Sequence, residues 1–89
     1  MNVEFTDEFK KKTQHFIRKN AQLKSSFKKQ FTLFKINPFH PSLRLHKLKG
    51  RRSEQYAIWI KGDLRALSIK SKTRTETYVF FDVVTHDEY

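Results

Sequence analysis

The groups best suited to proton transfer in this sequence follow an apolar run. Tyr78-Val79-Phe80-Phe81-Asp82-Val83-Val84 is apolar or aromatic at six of seven positions, turns polar at Thr85, and leads to His86 and Tyr89. A short run of this kind with recurrent Val reads as a strand covered on both faces, in the middle of a sheet. A rigid strand that delivers an imidazole and a phenol is a good mount for catalytic groups. The plainer reading is a buried strand followed by a solvated tail. Parity along the strand places Asp82 and His86 on one face with Tyr78, Phe80 and Val84. A carboxylate inside an apolar strand needs a partner. Arg65, near the start of its own strand on the face of Leu67 and Ile69, is the natural one if the two strands are neighbours.

Other chemistries find less support. Of the four His, His40 and His46 stand six apart across a Pro with no paired carboxylates nearby, so no metal site is expected. With two Gly in all, there is no phosphate-cradling loop and no cofactor is expected. Ser/His/Asp hydrolysis lacks supporting spacing. His15 lies beside a helical apolar stripe and reads as surface, and His40, between Phe39 and Pro41, as a loop residue with a backbone hydrogen bond. His46 reads either as a site residue or as a strand edge. Trp59 reads as packing, with base stacking an open second reading.

Charge narrows the class of partner. The formal net charge is +10, and residues 9 to 53 hold fourteen Lys and Arg with no Asp or Glu. A one-signed block repels itself and calls for a polyanionic or acidic partner. Nucleic acid comes first, because cations that neutralise phosphates release condensed counterions. An acidic protein comes second, and the two are compatible. The absence of Cys excludes disulfides and thiolate metal sites and fits a reducing cytosol. No signal-peptide core or membrane-length apolar window is present, so a soluble cytoplasmic protein is expected.

The elements that must position these groups follow from periodicity. At 89 residues the chain makes one domain, 1–89, with its core built largely from aromatics. Val3 and Phe5 suggest a short edge strand. Thr6 caps a helix with Asp7 and Glu8 in its first turn and an apolar stripe of Phe9, Thr13, Phe16 and Ile17. Asn20 breaks it. Leu23, Phe27, Phe31 and Phe34 mark a second helix that ends at Asn37-Pro38. Leu43 to Gly50 begins as an alternating strand whose period slips between Leu45 and Leu48, as a bulge or strand end near His46 would cause. Arg51-Arg52-Ser53 is a basic turn. Gln55 to Ile60 and Leu64 to Ile69 are strands joined at Lys61-Gly62-Asp63, and Glu76 or Thr77 opens the last strand. The order β-α-α-β-β-β-β predicts an α+β domain, a helical hairpin packed on one face of a curved, mainly antiparallel sheet. The other face is expected to be basic and open.

With this order in view, the chain resembles the RelE/YoeB/YafQ branch of the RelE/ParE toxin superfamily. The resemblance rests on three stretches: Leu43-Arg44-Leu45-His46-Lys47-Leu48-Lys49-Gly50 after the second helix, Gly62-Asp63-Leu64-Arg65 opening a strand, and Thr85-His86-Asp87-Glu88-Tyr89. It implies a RelE-like fold and the toxin of a type II toxin–antitoxin pair. Such a toxin cuts mRNA on the ribosome, where it also contacts ribosomal RNA, and an acidic antitoxin wraps its basic face. His46, Asp63 and His86 fall where YafQ-like members carry functional residues. Arg65 falls where RelE and YoeB keep an Arg on the scissile phosphate, and Tyr89 near their terminal Tyr. Two positions depart: Ala57 and Trp59 replace the paired Lys of the RelE third-strand motif, and Trp59 also replaces a second YafQ His.

Metal-independent RNA cleavage needs a base for the 2′-OH, a cation for the crowded phosphorane and an acid for the leaving oxygen. Imidazole titrates near neutrality and serves the proton steps, while guanidinium matches phosphate oxygens as a planar fork. The expectation is therefore that Arg65 holds the phosphate, His86 is general acid or base, and His46 or Tyr89 supplies the other proton step. Lys47, Lys49, Arg51 and Arg52 are expected to grip flanking phosphates or ribosomal RNA. Two other readings stand beside it: a ParE-like inhibitor of DNA gyrase, and a non-catalytic basic RNA-binding module.

Overall fold

The computed structural model describes residues 1–85; His86 and Tyr89 lie outside them. The elements are β1 Asn2–Phe5, α1 Asp7–Lys19, α2 Leu23–Ile36, β2 His46–Lys47, β3 Gln55–Lys61, β4 Leu64–Lys70 and β5 Thr77–Thr85. The sheet runs β1-β5-β4-β3-β2, with β1 parallel to β5 and the remaining pairs antiparallel. The fold is α+β, with the helical hairpin on one face, as the sequence predicts. The apolar last strand is interior to the sheet and β1 is an edge.

The helices begin and end for local reasons. Thr6 Oγ1 accepts from the Phe9 amide at 3.1 Å, Asp7 and Glu8 occupy the first turn of α1, and Arg18 and Lys19 the last. That arrangement satisfies an orphan amide and complements both ends of the helix dipole. α2 stops at Asn37, whose amide still donates to Leu33 O, just before Pro38. On the sheet side the hairpin presents Phe9, Phe27, Phe31 and Phe34, which bury against Tyr78 and Phe80. Phe31 and Phe34 meet Phe80 edge to face, with centroids 4.8 and 5.4 Å away, the arrangement ring quadrupoles favour. Phe80 is fully buried, so truncation to Ala would cost about 3–5 kcal/mol. Gln30 is buried within α2 and donates through Nε2 to Trp59 O at 2.9 Å and Ser42 O at 3.4 Å. It fastens the helix to β3.

Three expectations are corrected. The strand expected from Leu43 shrinks to His46–Lys47, because Pro41–Leu43 is a 3-10 turn and Arg44 adopts a left-handed backbone (φ 51°, ψ 39°). That kink explains the slipped period: Leu43 and Leu45 pack in the helix-side core, whereas Leu48 joins a second cluster with Ala57, Leu67 and Val84.

The parity of β5 also fails. Leu67 pairs with Asp82 but Ser68 pairs with Phe80, so Phe81 is an extra residue in the ladder. A bulge of this kind shifts the alternation by one. Tyr78, Phe80 and Val83 therefore face the helices, while Val84 lies in the second cluster.

The expected Arg65–Asp82 pair is not made. Asp82 Oδ1 instead meets Lys12 Nζ of α1 at 2.9 Å and accepts from the Val83 amide at 2.8 Å.

Candidate functional site

Residues paired directly in an antiparallel ladder project to the same face, with Cβ atoms about 5 Å apart. Trp59 pairs with Arg65, Arg65 with Val84, His46 with Ala57, and Ala57 with Leu67. Ala57, Leu67 and Val84 are buried in the cluster on the helix-free face. Trp59, Arg65 and His46 consequently share that face, with Trp59 and Ala57 of β3 lying between the other two.

The β3–β4 turn ties two of them together. Trp59 Nε1 donates to Gly62 O at 2.7 Å, and Arg65 Nη1 donates to the same oxygen at 3.0 Å and to Leu64 O at 3.3 Å. Gly62 holds φ +58°, a left-handed value at which glycine carries no Cβ penalty. An arginine has five N–H donors. Among the described residues only Nη1 is engaged.

A second guanidinium completes the group. Arg44 Cζ lies 5.0 Å from the centroid of the Trp59 ring, within the range of a cation–π contact. The ion pairs among the described residues are Lys12–Asp82 and Arg74–Glu4. Arg44 and Arg65 thus flank the indole with no carboxylate among the described residues neutralising either. His46 Nδ1 donates to Arg44 O at 2.9 Å. Because a carbonyl can only accept, the imidazole carries a proton on Nδ1 in this contact.

The remaining expected residues are placed as follows. Asp63 is exposed in the turn beside Gly62, at the Arg65 end of the face. Lys47 pairs with Tyr56 and so projects to the helix side, opposite His46. Lys49 and Arg51 are exposed on the segment after β2, and Arg52 Nη1 reaches Gln55 Oε1 at 3.5 Å. His40 accepts from the Ser42 amide in its loop, and His15 is exposed, as expected. Sequence reasoning missed Arg44 and Gln30. Nothing in residue type marks a left-handed Arg, and Gln30 sits among apolar neighbours at the Phe27–Phe31 spacing, which is its only signal.

Among the described residues no three His, Asp or Glu gather as a metal cluster, and no helix is long and apolar enough to cross a membrane. On the opposite side, a groove of about 580 Å³ runs between α1 and α2, floored by Phe5, Phe9 and Phe31 and rimmed by Lys10, Lys28 and Lys35.

No protein-family model and no curated protein matches the chain. Solved structures do. A YoeB/ParE toxin from Agrobacterium tumefaciens superposes with a TM-score of 0.75 at 17% identity, covering 97% of this chain and 99% of that one. YafQ from Escherichia coli gives 0.73 at 16% identity over 98% and 94% of the two chains. The E. coli DinJ–YafQ toxin–antitoxin complex gives 0.72 at 16% identity, covering 98% and 93%. The fold is that of RelE/YoeB/YafQ-like toxins, as the sequence resemblance implied.

Proposed function

We propose that this chain, built on a YoeB- and YafQ-like fold, is the toxin of a type II toxin–antitoxin pair and a metal-independent endoribonuclease acting on ribosome-bound mRNA. The observation that carries the proposal is Arg65 on the helix-free face, paired with no carboxylate among the described residues, held to the Gly62 carbonyl and sharing that face with His46 by register. Arg65 binds the scissile phosphate and stabilises the phosphorane, the kind of preorganised charge that is often the largest catalytic term. His86 acts as general acid or base, His46 or Tyr89 takes the other proton step, and Asp63 supports the Arg65 end. Lys47, Lys49, Arg51 and Arg52 grip flanking phosphates around the β2 edge. The protein acts in the cytoplasm, where its substrate is.

The partner is an acidic antitoxin. The uninterrupted positive block supports it, as does the Lys-rimmed apolar groove between the helices. The structurally similar YafQ has been solved in a toxin–antitoxin complex with DinJ.

Induction of the chain in a bacterial host, followed by primer extension on transcripts, tests the proposal. The expected result is growth arrest with cuts at ribosome-phased positions, abolished by His86→Ala and relieved by a co-expressed acidic antitoxin. DNA damage with intact mRNA would instead favour gyrase inhibition. Arrest without cleavage would leave a non-catalytic RNA-binding module.

A further inference from the structure

We infer that Trp59 is a nucleobase-stacking subsite. One base of a single-stranded RNA lies against its indole while the adjoining phosphate sits on Arg65; the assignment rests on the RNA-cleaving reading above and deepens it. Trp59 is only half-buried, and among the described residues it belongs to neither apolar cluster, so core packing does not account for it. Its ring is nonetheless fixed. The Nε1–H is anchored to Gly62 O at 2.7 Å, and the backbone carbonyl on the other side of the strand is held by Gln30 at 2.9 Å. A rigid, partly exposed indole is what a stacking platform requires, because every base offers a π-face and little entropy is lost in meeting it.

The neighbours set what stacks there. Arg65 is the direct cross-strand partner of Trp59 and shares its acceptor, so a base on the indole and a phosphate on the guanidinium belong to adjoining parts of one strand. The next residue of β3 on the same face is Ala57, fully buried, which leaves the platform without a bulky neighbour on its own strand. Arg44 already lies 5.0 Å from the ring centroid, so a flat group is accommodated over the ring. Displacing Arg44 gives up one exposed cation–π contact and releases its guanidinium for the next phosphate.

Trp59 is the sole tryptophan of the chain, so its fluorescence reports this position alone. The probe is a short 2′-O-methyl RNA, which cannot be cleaved, titrated into the full chain with binding followed in parallel by anisotropy of a 5′ label. Saturable quenching of the indole that tracks the anisotropy curve is expected. Trp59→Leu should weaken binding about 10-fold. Trp59→Phe, which keeps a π-face but loses the Nε1–H, should stay within about 3-fold of the parent. Circular dichroism and thermal melting of both variants establish that they are folded. RNA that binds with unchanged fluorescence, or a Leu variant that binds as well as Phe, overturns the stacking subsite and leaves the RNA-cleaving reading standing. An RNA that does not bind at all overturns the stacking subsite, while the ribosome-dependent reading stands or falls on the primer-extension result.

Discussion

Trp59 and Arg65 donate to one acceptor, the carbonyl oxygen of Gly62, at 2.7 and 3.0 Å. The turn carbonyl thereby fixes the aim of the guanidinium. Arg65→Lys keeps the charge but loses the planar fork, since an ammonium cannot both hold the turn and span two phosphate oxygens. Ribosome-dependent mRNA cleavage should fall by about 10²–10³ in Arg65→Ala and by at least about 10-fold in Arg65→Lys. Thermal stability should change little in either, because the side chain is partly exposed. Single-turnover cleavage on programmed ribosomes measures the first effect; an Arg65→Lys variant as active as the parent would remove the fork from the mechanism.

Lys47, Lys49 and Arg51 are exposed on and after the edge strand β2. If each neutralises one phosphate of a single strand, its removal lowers the slope of log K against log salt by about 0.7. Titrations of each Ala variant with non-cleavable RNA at several salt concentrations read the slope directly. A variant whose slope matches the parent lies outside the phosphate footprint.

Gln30 is 3% exposed and supports the carbonyls of Trp59 and Ser42. Gln30→Met keeps the bulk but leaves both oxygens short of a donor. A loss of about 1–3 kcal/mol in urea unfolding is expected. A loss below about 0.5 kcal/mol would mean that those carbonyls find other donors.

Lys12 and Asp82 form an ion pair whose side chains are 38% and 33% exposed. A double-mutant cycle with Lys12→Met and Asp82→Asn should give a coupling of about 0.2–1 kcal/mol that shrinks in salt. The corresponding cycle between Arg65 and Asp82 should give none. Coupling at Arg65 would restore the pair that the β5 parity suggests.

What was legible in the sequence was whatever a regular period announces. The Phe stripes of both helices, the Thr6 cap, the Asn37-Pro38 stop and the β3–β4 turn at Gly62 are local signals, and each falls where it was expected. The β5 bulge was not legible, because Phe80-Phe81 and Val83-Val84 are apolar doublets. When both faces of a strand are buried, alternation carries no record of an inserted residue. The partner of Asp82 was equally hidden, since Lys12 lies seventy residues away and reads as one of many outward cations. On the candidate site, sequence supplied Arg65 and His46 as types at strand positions. It did not supply Arg44, whose approach to Trp59 depends on a left-handed backbone that Arg rarely adopts, nor the shared Gly62 carbonyl, which only the ladder register brings within reach.

The parallel pairing of β1 with β5 has a consequence for how the protein comes into being. β5 is the latest-translated of the described strands, yet it sits between β1, the earliest, and β4. A partial chain that lacks β5 cannot join β1 to β4, so the sheet closes only after synthesis has passed β5. Such non-local closure is slow relative to helix formation, and the helical hairpin with its exposed Phe stripe precedes it. Until then the side chains of Phe9, Phe27, Phe31 and Phe34 lack the Tyr78 and Phe80 surface that buries them.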